Sequence, residues 1–197
     1  MQLGGGIANS LQTLTVTNST ISGNDAQVSG GGVFNGGNLI LTNSTLSDND
    51  SGKLPQGGGI YNEGALQIED TVLNISPISN NGGTVTSLGY NLASDGWGGV
   101  LTGPGDQINT DPMLGPLQDN GGATFTHALL PGSPAINAGD PNFTPPPFFD
   151  QRGPGFDRVV NGRIDIGSFE VQAGSTPTPT PRPTPTPRSR PTPAPRP

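Results

Sequence analysis

Residues 14–24, LTVTNSTISGN, recur almost unchanged at 39–49 as LILTNSTLSDN and in a weaker form at 66–76 as LQIEDTVLNIS. A glycine-led stretch precedes each copy, and these stretches repeat at intervals of 26 and 27 residues: GGGI at 4–7, GGGV at 30–33 and GGGI at 57–60. A period of about 20–50 residues is typical of stacked units, none of which can bury its apolar face alone. The sequence therefore predicts a repeat architecture.

The spacing of aliphatic residues inside each copy indicates what kind of unit repeats. Leu14 and Val16 alternate as residues on one face of a strand do, but the next aliphatic residue, Ile21, follows after an odd gap of five positions. Because strand side chains alternate with a period of two, the odd gap requires a bend between two short strands. Asn18 lies in the gap, and asparagine tolerates the left-handed backbone that a tight corner needs.

The other two copies place Asn43 and Asp70 at this position. We therefore expect Asn18, Asn43 and Asp70 to form a corner ladder, in which the side chains satisfy one another and the backbone. The strands around each corner, together with the glycine-led strand, would make one coil of a β-solenoid, with coils about 4.8 Å apart. We predict an all-β chain folded as a right-handed parallel β-helix. Its interior aliphatic ladders should be Leu14/Leu39/Leu66, Val16/Leu41/Ile68 and Ile21/Leu46/Leu73.

Composition and charge exclude several classes of protein. Of the 197 residues, 32 are glycine, 22 are proline, 12% are charged and none is cysteine, so many short strands and turns are expected and thiol chemistry is not. Residues 1–172 hold all fifteen acids and four bases, whereas residues 173–197 hold four arginines and no acid. An acidic folded part argues against nucleic acid as a partner. The sequence has no apolar run long enough to insert in a membrane as a helix, and it suggests no cofactor and no metal site.

The pattern along the chain divides it into three regions. Residues 1–83 carry the coils. Residues 84–172 should supply the last coils and an irregular C-terminal cap, since 84–93 and 105–114 each offer a further strand, and proline and glycine interrupt the chain from residue 115 onward. Residues 173–197 contain ten of the 22 prolines and nothing to bury. We predict a disordered Pro/Thr/Arg-rich linker there, roughly 75 Å long when fully extended.

Four motifs follow one another in a specific order in the second region. They are SLGYNL (87–92), TDPMLGPLQDNGGATFTHALLPGSPAINAGD (110–140), DQRG (150–153) and GRIDIGSFE (162–170). This series resembles the choice-of-anchor Q domain of bacterial cell-surface β-helix proteins, and the repeats at 4–76 resemble those of polymorphic outer-membrane proteins. The resemblance implies a secreted or surface-displayed β-helix whose C-terminus leads to an anchoring device. It brings no catalytic residue with it.

Proteins of this kind normally have a signal peptide and further coils before the point at which this sequence begins. A bare β-helix end presents unpaired strand edges, which native proteins usually cover. We therefore expect the sequence to be a fragment of a longer protein.

A dense polar cluster in the C-terminal region is the first candidate for chemistry. Its members are Asp150, Arg152, Asp157, Arg158, Arg163, Asp165 and Glu170. Arginine beside carboxylates could orient an acidic sugar. Alternatively, the same groups could tie the cap together through bidentate hydrogen bonds. We predict the structural role, with a cap network that consists of Asp150, Arg152, Arg158, Asp165 and Glu170.

Other candidates for an enzymatic site are weaker. Lyase chemistry needs a base beside acids that hold Ca²⁺, and glycoside hydrolysis needs two separated carboxylates. The repeats supply acids mostly in loops, with Lys53 as their base, so solvated loop acids are the simpler interpretation. His127 has no serine or cysteine motif near it, which favours a structural histidine. Trp97 fits a loop anchor better than a platform for a sugar ring.

These patterns favour a non-enzymatic, extracellular, cell-surface-tethered module with a structural, adhesive or interaction role. Its partner would be a cell-wall or extracellular polysaccharide, or a surface protein. The alternative is a carbohydrate-active β-helix, similar to a polysaccharide lyase or hydrolase. In that case the catalytic coils would lie outside this sequence, or the acidic loops would carry the site.

Overall fold

The computed structural model describes residues 4–52, 58–96 and 100–174, and within these ranges the chain is all-β. Lys53, Trp97 and the predicted linker from 175 onward lie outside the described residues. The strands are β1 (Ile7–Asn9), β2 (Thr13–Thr17), β3 (Thr20–Ser22), β4 (Asp25–Ala26), β5 (Val33–Asn35), β6 (Asn38–Thr42), β7 (Thr45–Ser47), β8 (Asp50–Ser51), β9 (Ile60–Asn62), β10 (Ala65–Glu69), β11 (Val72–Asn74), β12 (Ile78–Asn80), β13 (Thr84–Gly89), β14 (Leu92–Ala93), β15 (Leu114–Gln118) and β16 (Thr126–Leu129).

Three parallel sheets run along the stack, and each takes one strand from every coil. The strand order is β1-β5-β9-β12 in the first sheet, β2-β6-β10-β13 in the second and β3-β7-β11-β14 in the third. The chain thus passes through the first, second and third sheets in turn before it begins the next coil. This arrangement confirms the prediction of a parallel β-solenoid. A short pair, β4-β8, extends the first two coils.

The register of these sheets aligns the repeated aliphatic residues. The predicted ladders are the ones that the strand pairing forms: Leu14↔Leu39↔Leu66, Val16↔Leu41↔Ile68 and Ile21↔Leu46↔Leu73. Most of these side chains are buried and belong to one apolar cluster inside the coils, with Leu14 partly buried at its margin. Burial of an aliphatic side chain stabilises a fold by about 1.5–3 kcal/mol, so the interior ladders drive the stacking of the coils.

The predicted corner separates the second sheet from the third. Asn18, Asn43 and Asp70 follow directly after β2, β6 and β10, and their φ angles are 53°, 48° and 47°. A left-handed backbone is unfavourable for most L-residues, but asparagine and aspartate adopt it with less strain. The bend at these residues produces the odd gap in the sequence.

A second ladder of asparagines, which the sequence analysis missed, lies at the turn between the first and second sheets. Asn9 donates to Asn35 Oδ1 (2.9 Å), Asn35 to Asn62 Oδ1 (2.7 Å) and Asn62 to Asn80 Oδ1 (2.8 Å). Asn9, Asn35 and Asn62 are buried, and their amides also donate to backbone carbonyls of the turns. The extended amide ladder that we expected at the Asn18 corner is therefore formed at this turn.

The stack contains a fourth coil that begins without a glycine triplet. Ile78 of β12 pairs with Ile60, and β13 and β14 continue the second and third sheets. The stretch 105–114, which we expected to offer a further strand, contributes a single parallel bridge between Gln107 and Leu92. Leu101 packs into the interior cluster and closes it beyond the fourth coil.

Residues 112–171, here called the flank, return along the outer face of the third sheet. Val72 and Leu92 point outward from that sheet into a second apolar cluster with Leu129, Ile166 and Phe169 of the flank. The third sheet is thus covered on both faces. We predicted an irregular cap for this segment, and the structure lays it along the side of the coils. No helix among the described residues is long and apolar enough to cross a membrane.

Candidate functional site

The polar cluster singled out in the sequence lies mostly inside the flank. Arg152 pairs with Asp150 through Nη2 and Oδ2 (2.6 Å), and its Nε lies 3.0 Å from the same oxygen. The backbone N–H groups of Arg152 and Glu170 donate to the two Asp150 oxygens, both at 2.8 Å. Such charge-assisted bonds are stronger than neutral ones and fix the geometry of both partners. They join the DQRG motif to the last residues of the flank.

Aromatic rings enclose the Arg152 guanidinium. Its Cζ atom lies 3.9 Å from the ring centroid of Phe156 and 3.8 Å from that of Phe169. Arg152 Nη2 also donates to the backbone carbonyl of Glu170 (2.5 Å). A desolvated cation between two rings gains cation–π energy in addition to its ion pair. Arg152 therefore joins several separate parts of the flank through its guanidinium group.

Arg158, Asp165 and Glu170 form the deeper part of the cluster. Arg158 is fully buried and donates from Nη2 to the backbone carbonyl of Asp165 (3.0 Å), while its Nε and Nη1 have no partner among the described residues. Asp165 accepts from the N–H groups of Asn137 and Val171 (2.7 Å each), and Glu170 Oε2 accepts from Asp165 N (2.8 Å). The structure brings together all five residues proposed for the cap network.

Burial controls the protonation of this network. Burial first, and the nearby Asp165 carboxylate second, raise the pKa of Glu170 from 4.5 to about 9. Burial also raises the pKa of Asp165 and lowers that of Arg158. Arginine keeps its proton in proteins, so a protonated Glu170 limits the number of buried negative charges around Arg158 at neutral pH.

Two members of the sequence cluster lie outside the network. Asp157 is exposed. Arg163 is half-buried and donates from Nε to the carbonyl of Gly139 (2.6 Å) and from Nη2 to that of Ala138 (3.0 Å). Its guanidinium also lies 5.6 Å from the ring centroid of Tyr90, so Arg163 connects the flank to the fourth coil.

Part of the flank, residues 140–149, crosses the corner ladder, and we call this segment the strap. At the third coil the N–H of Asp140 donates to Asp70 Oδ1 (2.8 Å), and at the first coil Asn18 Nδ2 donates to the carbonyl of Phe149 (3.0 Å). Between them, the Nδ2 atom of Asn43 has no partner in the described part of the chain, and Asn18 Oδ1 likewise has none. The corner side chains of the first and third coils therefore bond to the strap, where we had expected the corner residues to satisfy one another.

A cleft of about 470 Å³ opens between the corner ladder and the strap. Its floor comes from the coils and its wall from the strap. Lining residues on the floor are Thr17, Thr42, Asn43, Glu69 and Asp70; those on the wall are Asp140, Asn142, Phe143, Thr144, Pro146 and Pro147. This volume lies within the range of about 300–1,000 Å³ that is usual for small-molecule sites.

Carboxyl groups in the cleft are held partly out of water. Burial, and then the Asp140 carboxylate, raise the pKa of Glu69. Burial is also the main cause that raises the pKa of Asp70 from 3.8 to about 7. Among the residues that line the cleft there is no lysine, arginine or histidine. The cleft is thus an acidic, partly desolvated site beside an aromatic ring.

His127 has a structural environment. Its Nδ1 lies 2.8 Å from the carbonyl oxygen of Gly115, and its Nε2 lies 2.9 Å from the hydroxyl of Ser22. The ring is buried between the flank and the third sheet. Across the described ranges, no three histidine or carboxylate side chains come together as metal ligands would.

Sequence reasoning did not identify the cleft. Glu69 was visible as the residue before the Asp70 corner, and Asp140 as the end of a motif, but nothing local joins them. No family model, curated protein or solved structure matches the chain. The resemblance to choice-of-anchor Q proteins therefore still depends on the four motifs alone.

Proposed function

We propose that the chain is a non-enzymatic, right-handed parallel β-helix module of the choice-of-anchor Q kind, displayed at a bacterial cell surface, where it has a structural, adhesive or interaction role. One observation carries the non-enzymatic part of this proposal. The densest cluster of arginine and carboxylate side chains, from Asp150 to Glu170, is at most 8% exposed at each member of its network. Groups that no substrate can reach serve to hold the flank together.

The architecture supports a role in display. A stack of parallel coils whose third sheet is covered on both faces is a stiff body, and the predicted Pro/Thr/Arg-rich linker after it would act as a semi-rigid spacer. A rigid domain on such a spacer is suited to contact with a surface protein or with cell-wall or extracellular polysaccharide. The family resemblance supports the same location.

The surface location can be tested on intact cells of the source bacterium. Antibodies raised against the purified chain should label unbroken cells, and brief protease treatment of those cells should remove the label. An antibody against a cytoplasmic protein is the control and should label only broken cells. Labelling of the chain in broken cells alone would contradict the proposed location.

A second candidate function is favoured by the cleft, because Glu69 and Asp140 are two carboxyl groups in one site. Paired carboxylates are the catalytic groups of most glycoside hydrolases. The test incubates the purified chain with a polysaccharide panel, with and without Ca²⁺, and follows both absorbance at 235 nm and new reducing ends. We expect the wild-type chain to give no more absorbance at 235 nm, and no more reducing ends, than a Glu69→Gln control. Product formation that Glu69→Gln or Asp140→Asn abolishes, while folding is retained, would establish the enzyme instead.

A further inference from the structure

The corner ladder and the strap meet in a way that leaves two polar atoms, Asn18 Oδ1 and Asn43 Nδ2, without partners among the described residues. The strap is hydrogen-bonded to Asn18 of the first coil and to Asp70 of the third coil. It forms no hydrogen bond with the Nδ2 atom of the corner residue in the second coil. Asn43 is the corner residue of that second coil, is 5% exposed, and has an Nδ2 atom with no partner among the described residues. A buried amide without a partner is costly, so a ligand or water group that accepts a hydrogen bond from it would stabilise this corner.

The floor of the cleft is a regular array. Thr17, Thr42 and Glu69 are register partners at the ends of β2, β6 and β10, and the next residue of each strand is the corner residue. Thr17 and Thr42 are hydrogen-bonded to each other through their hydroxyl groups. The floor thus presents rows of polar groups that repeat every coil, about 4.8 Å apart.

The wall of the cleft has an apolar part and is pre-positioned. Phe143 and Pro147 are partly buried there, and Pro146 lies next to them. The strap that carries them is fixed at both ends by its bonds to the corners. A site that is formed before binding loses little conformational freedom when a ligand arrives.

We propose that this cleft binds an uncharged oligosaccharide, with Phe143 against the apolar face of a sugar ring and with Asn43, Glu69 and Asp140 bonded to its hydroxyl groups. Sugar hydroxyls both donate and accept, so they match a floor that offers an amide donor beside carboxyl acceptors. The ring of Phe143 and the prolines match the C–H face of a pyranose.

The charge of the site selects against acidic glycans. Its lining has three acids and no base, and residues 1–172 of the chain carry fifteen acids against four bases. A uronate or sulfated sugar would place like charges together in a partly desolvated cleft, which is unfavourable. Neutral hexoses, pentoses and N-acetylhexosamines have hydroxyl groups and an apolar C–H face but no negative charge, so they match the cleft.

The test measures equilibrium binding to the whole chain by calorimetry. The probes are the neutral oligosaccharides cellohexaose, maltohexaose, xylohexaose and N-acetylchitohexaose, with hexagalacturonate as the acidic comparison. We expect at least one neutral probe to bind and hexagalacturonate not to bind. No binding by any neutral probe, or a preference for hexagalacturonate, would overturn the inference.

Three variants locate the site. Phe143→Ala and Asn43→Gly should each weaken binding by about tenfold, which corresponds to about 1.4 kcal/mol. Glycine at position 43 keeps the left-handed corner while it removes the amide. Phe148→Ala is the matched control, because Phe148 belongs to the same strap, is 67% exposed and does not line the cleft. Equal affinities for all four proteins would place the ligand elsewhere and overturn the inference.

This inference rests on the proposed interaction role, in which the glycan is held and not cleaved. After each titration the length of the recovered oligosaccharide is therefore measured. Shortened oligosaccharide would contradict the proposed function, whereas intact oligosaccharide without binding would contradict only the assignment of the cleft. Thermal unfolding of each variant checks that the coils are intact.

Discussion

Individual corner residues show how one backbone position acquires different roles in successive coils. Asn18, Asn43 and Asp70 share a left-handed φ near 50°. Their surroundings differ, because the strap bonds to the first and the third but leaves the second facing the cleft. The acid in the third coil is the most consequential of the three, since its carboxyl group is buried and close to other carboxylates.

We predict that Asp70→Asn reduces the pH dependence of stability. Because the folded pKa of Asp70 is raised from 3.8 to about 7, its contribution is most favourable below pH 4 and is lost as the pH rises to about 7. The side-chain oxygen of asparagine can accept the same hydrogen bond from the Asp140 N–H, and asparagine tolerates the same φ. The variant should match the wild type at pH 4 and be more stable by about 4 kcal/mol at pH 8, since each pKa unit corresponds to about 1.4 kcal/mol.

Urea unfolding at the two pH values measures this difference. Asp48→Asn is the matched control, because Asp48 also has a positive φ but is exposed. Because its side chain is exposed, this substitution should change the free energy of unfolding by less than about 0.5 kcal/mol. A constant offset for Asp70→Asn between pH 4 and pH 8 would contradict the assigned protonation.

We predict that Asn35→Ala is strongly destabilising. Asn35 is fully buried, accepts from Asn9 and donates to Asn62 and to the carbonyl of Ala65, so its loss leaves several buried groups without partners. The expected cost is about 2–4 kcal/mol in the free energy of unfolding. Asn80→Ala, at the exposed end of the same ladder, should cost less than about 1 kcal/mol. Chemical denaturation measures both losses. If the two variants lost the same free energy of unfolding, the buried hydrogen bonds of Asn35 would not have the stabilising role assigned to them.

At the scale of strands and turns, the odd gap between Val16 and Ile21 was sufficient to predict the corner and the register of the interior ladders. A further coil strand was expected at 84–93, where β13 and β14 lie. The start of the fourth coil was missed because β12 follows SP and not a glycine triplet, and because Ile60 and Ile78 are closer in sequence than the earlier repeats. A signal was present, since each first-sheet strand reads as an aliphatic residue, any residue, then asparagine. The asparagines of that pattern are the ones that form the ladder at the turn between the first and second sheets.

Turns between the first and second sheets approach one another too closely for a side chain, which leads to a third prediction. A Cβ atom on Gly64 would lie 1.9 Å from the carbonyl oxygen of Gly37 in the neighbouring coil. Because that oxygen is backbone, relief requires the coils to separate. Gly64→Ala should therefore lower the free energy of unfolding by about 2–3 kcal/mol.

Thermal unfolding of Gly64→Ala beside Gly52→Ala tests this expectation. A Cβ atom on Gly52 would meet no atom of the described residues within 4 Å, so that variant should behave like the wild type. Equal melting temperatures for the two variants would mean that the coils do not stack as closely as described.

On the scale of the whole molecule, hydrogen bonds between residues far apart in sequence attach the flank to the solenoid. Thr45 and Ser168 are hydrogen-bonded across 123 positions of sequence, and Thr20 and Ser168 across 148. No local pattern encodes such contacts, so the sequence indicated an irregular segment but not its position. The charged residues of the cluster were recognisable because three of the seven arginines of the chain lie among four acids within residues 150–170.

We predict that Arg152→Lys loosens the flank before the coils. Lysine loses the paired contacts with Asp150 and the fit between Phe156 and Phe169, at an expected cost of about 2–4 kcal/mol. Hydrogen exchange followed by mass spectrometry should show faster exchange in the flank, while β6 and β10 keep their protection. Asp157→Asn, at an exposed position, is the control. Uniform acceleration over the whole chain would show that the two parts unfold together.

The return of the flank along the coils has a mechanical consequence. If the predicted linker after the flank is a tether, tension on it enters the domain at Glu170 and Val171, where the N–H groups are bonded to Asp150 and Asp165. Hydrogen bonds from the flank reach the first, second and third coils together. A pull would therefore be shared by several coils in shear, and would not peel the last coil from the end of the stack.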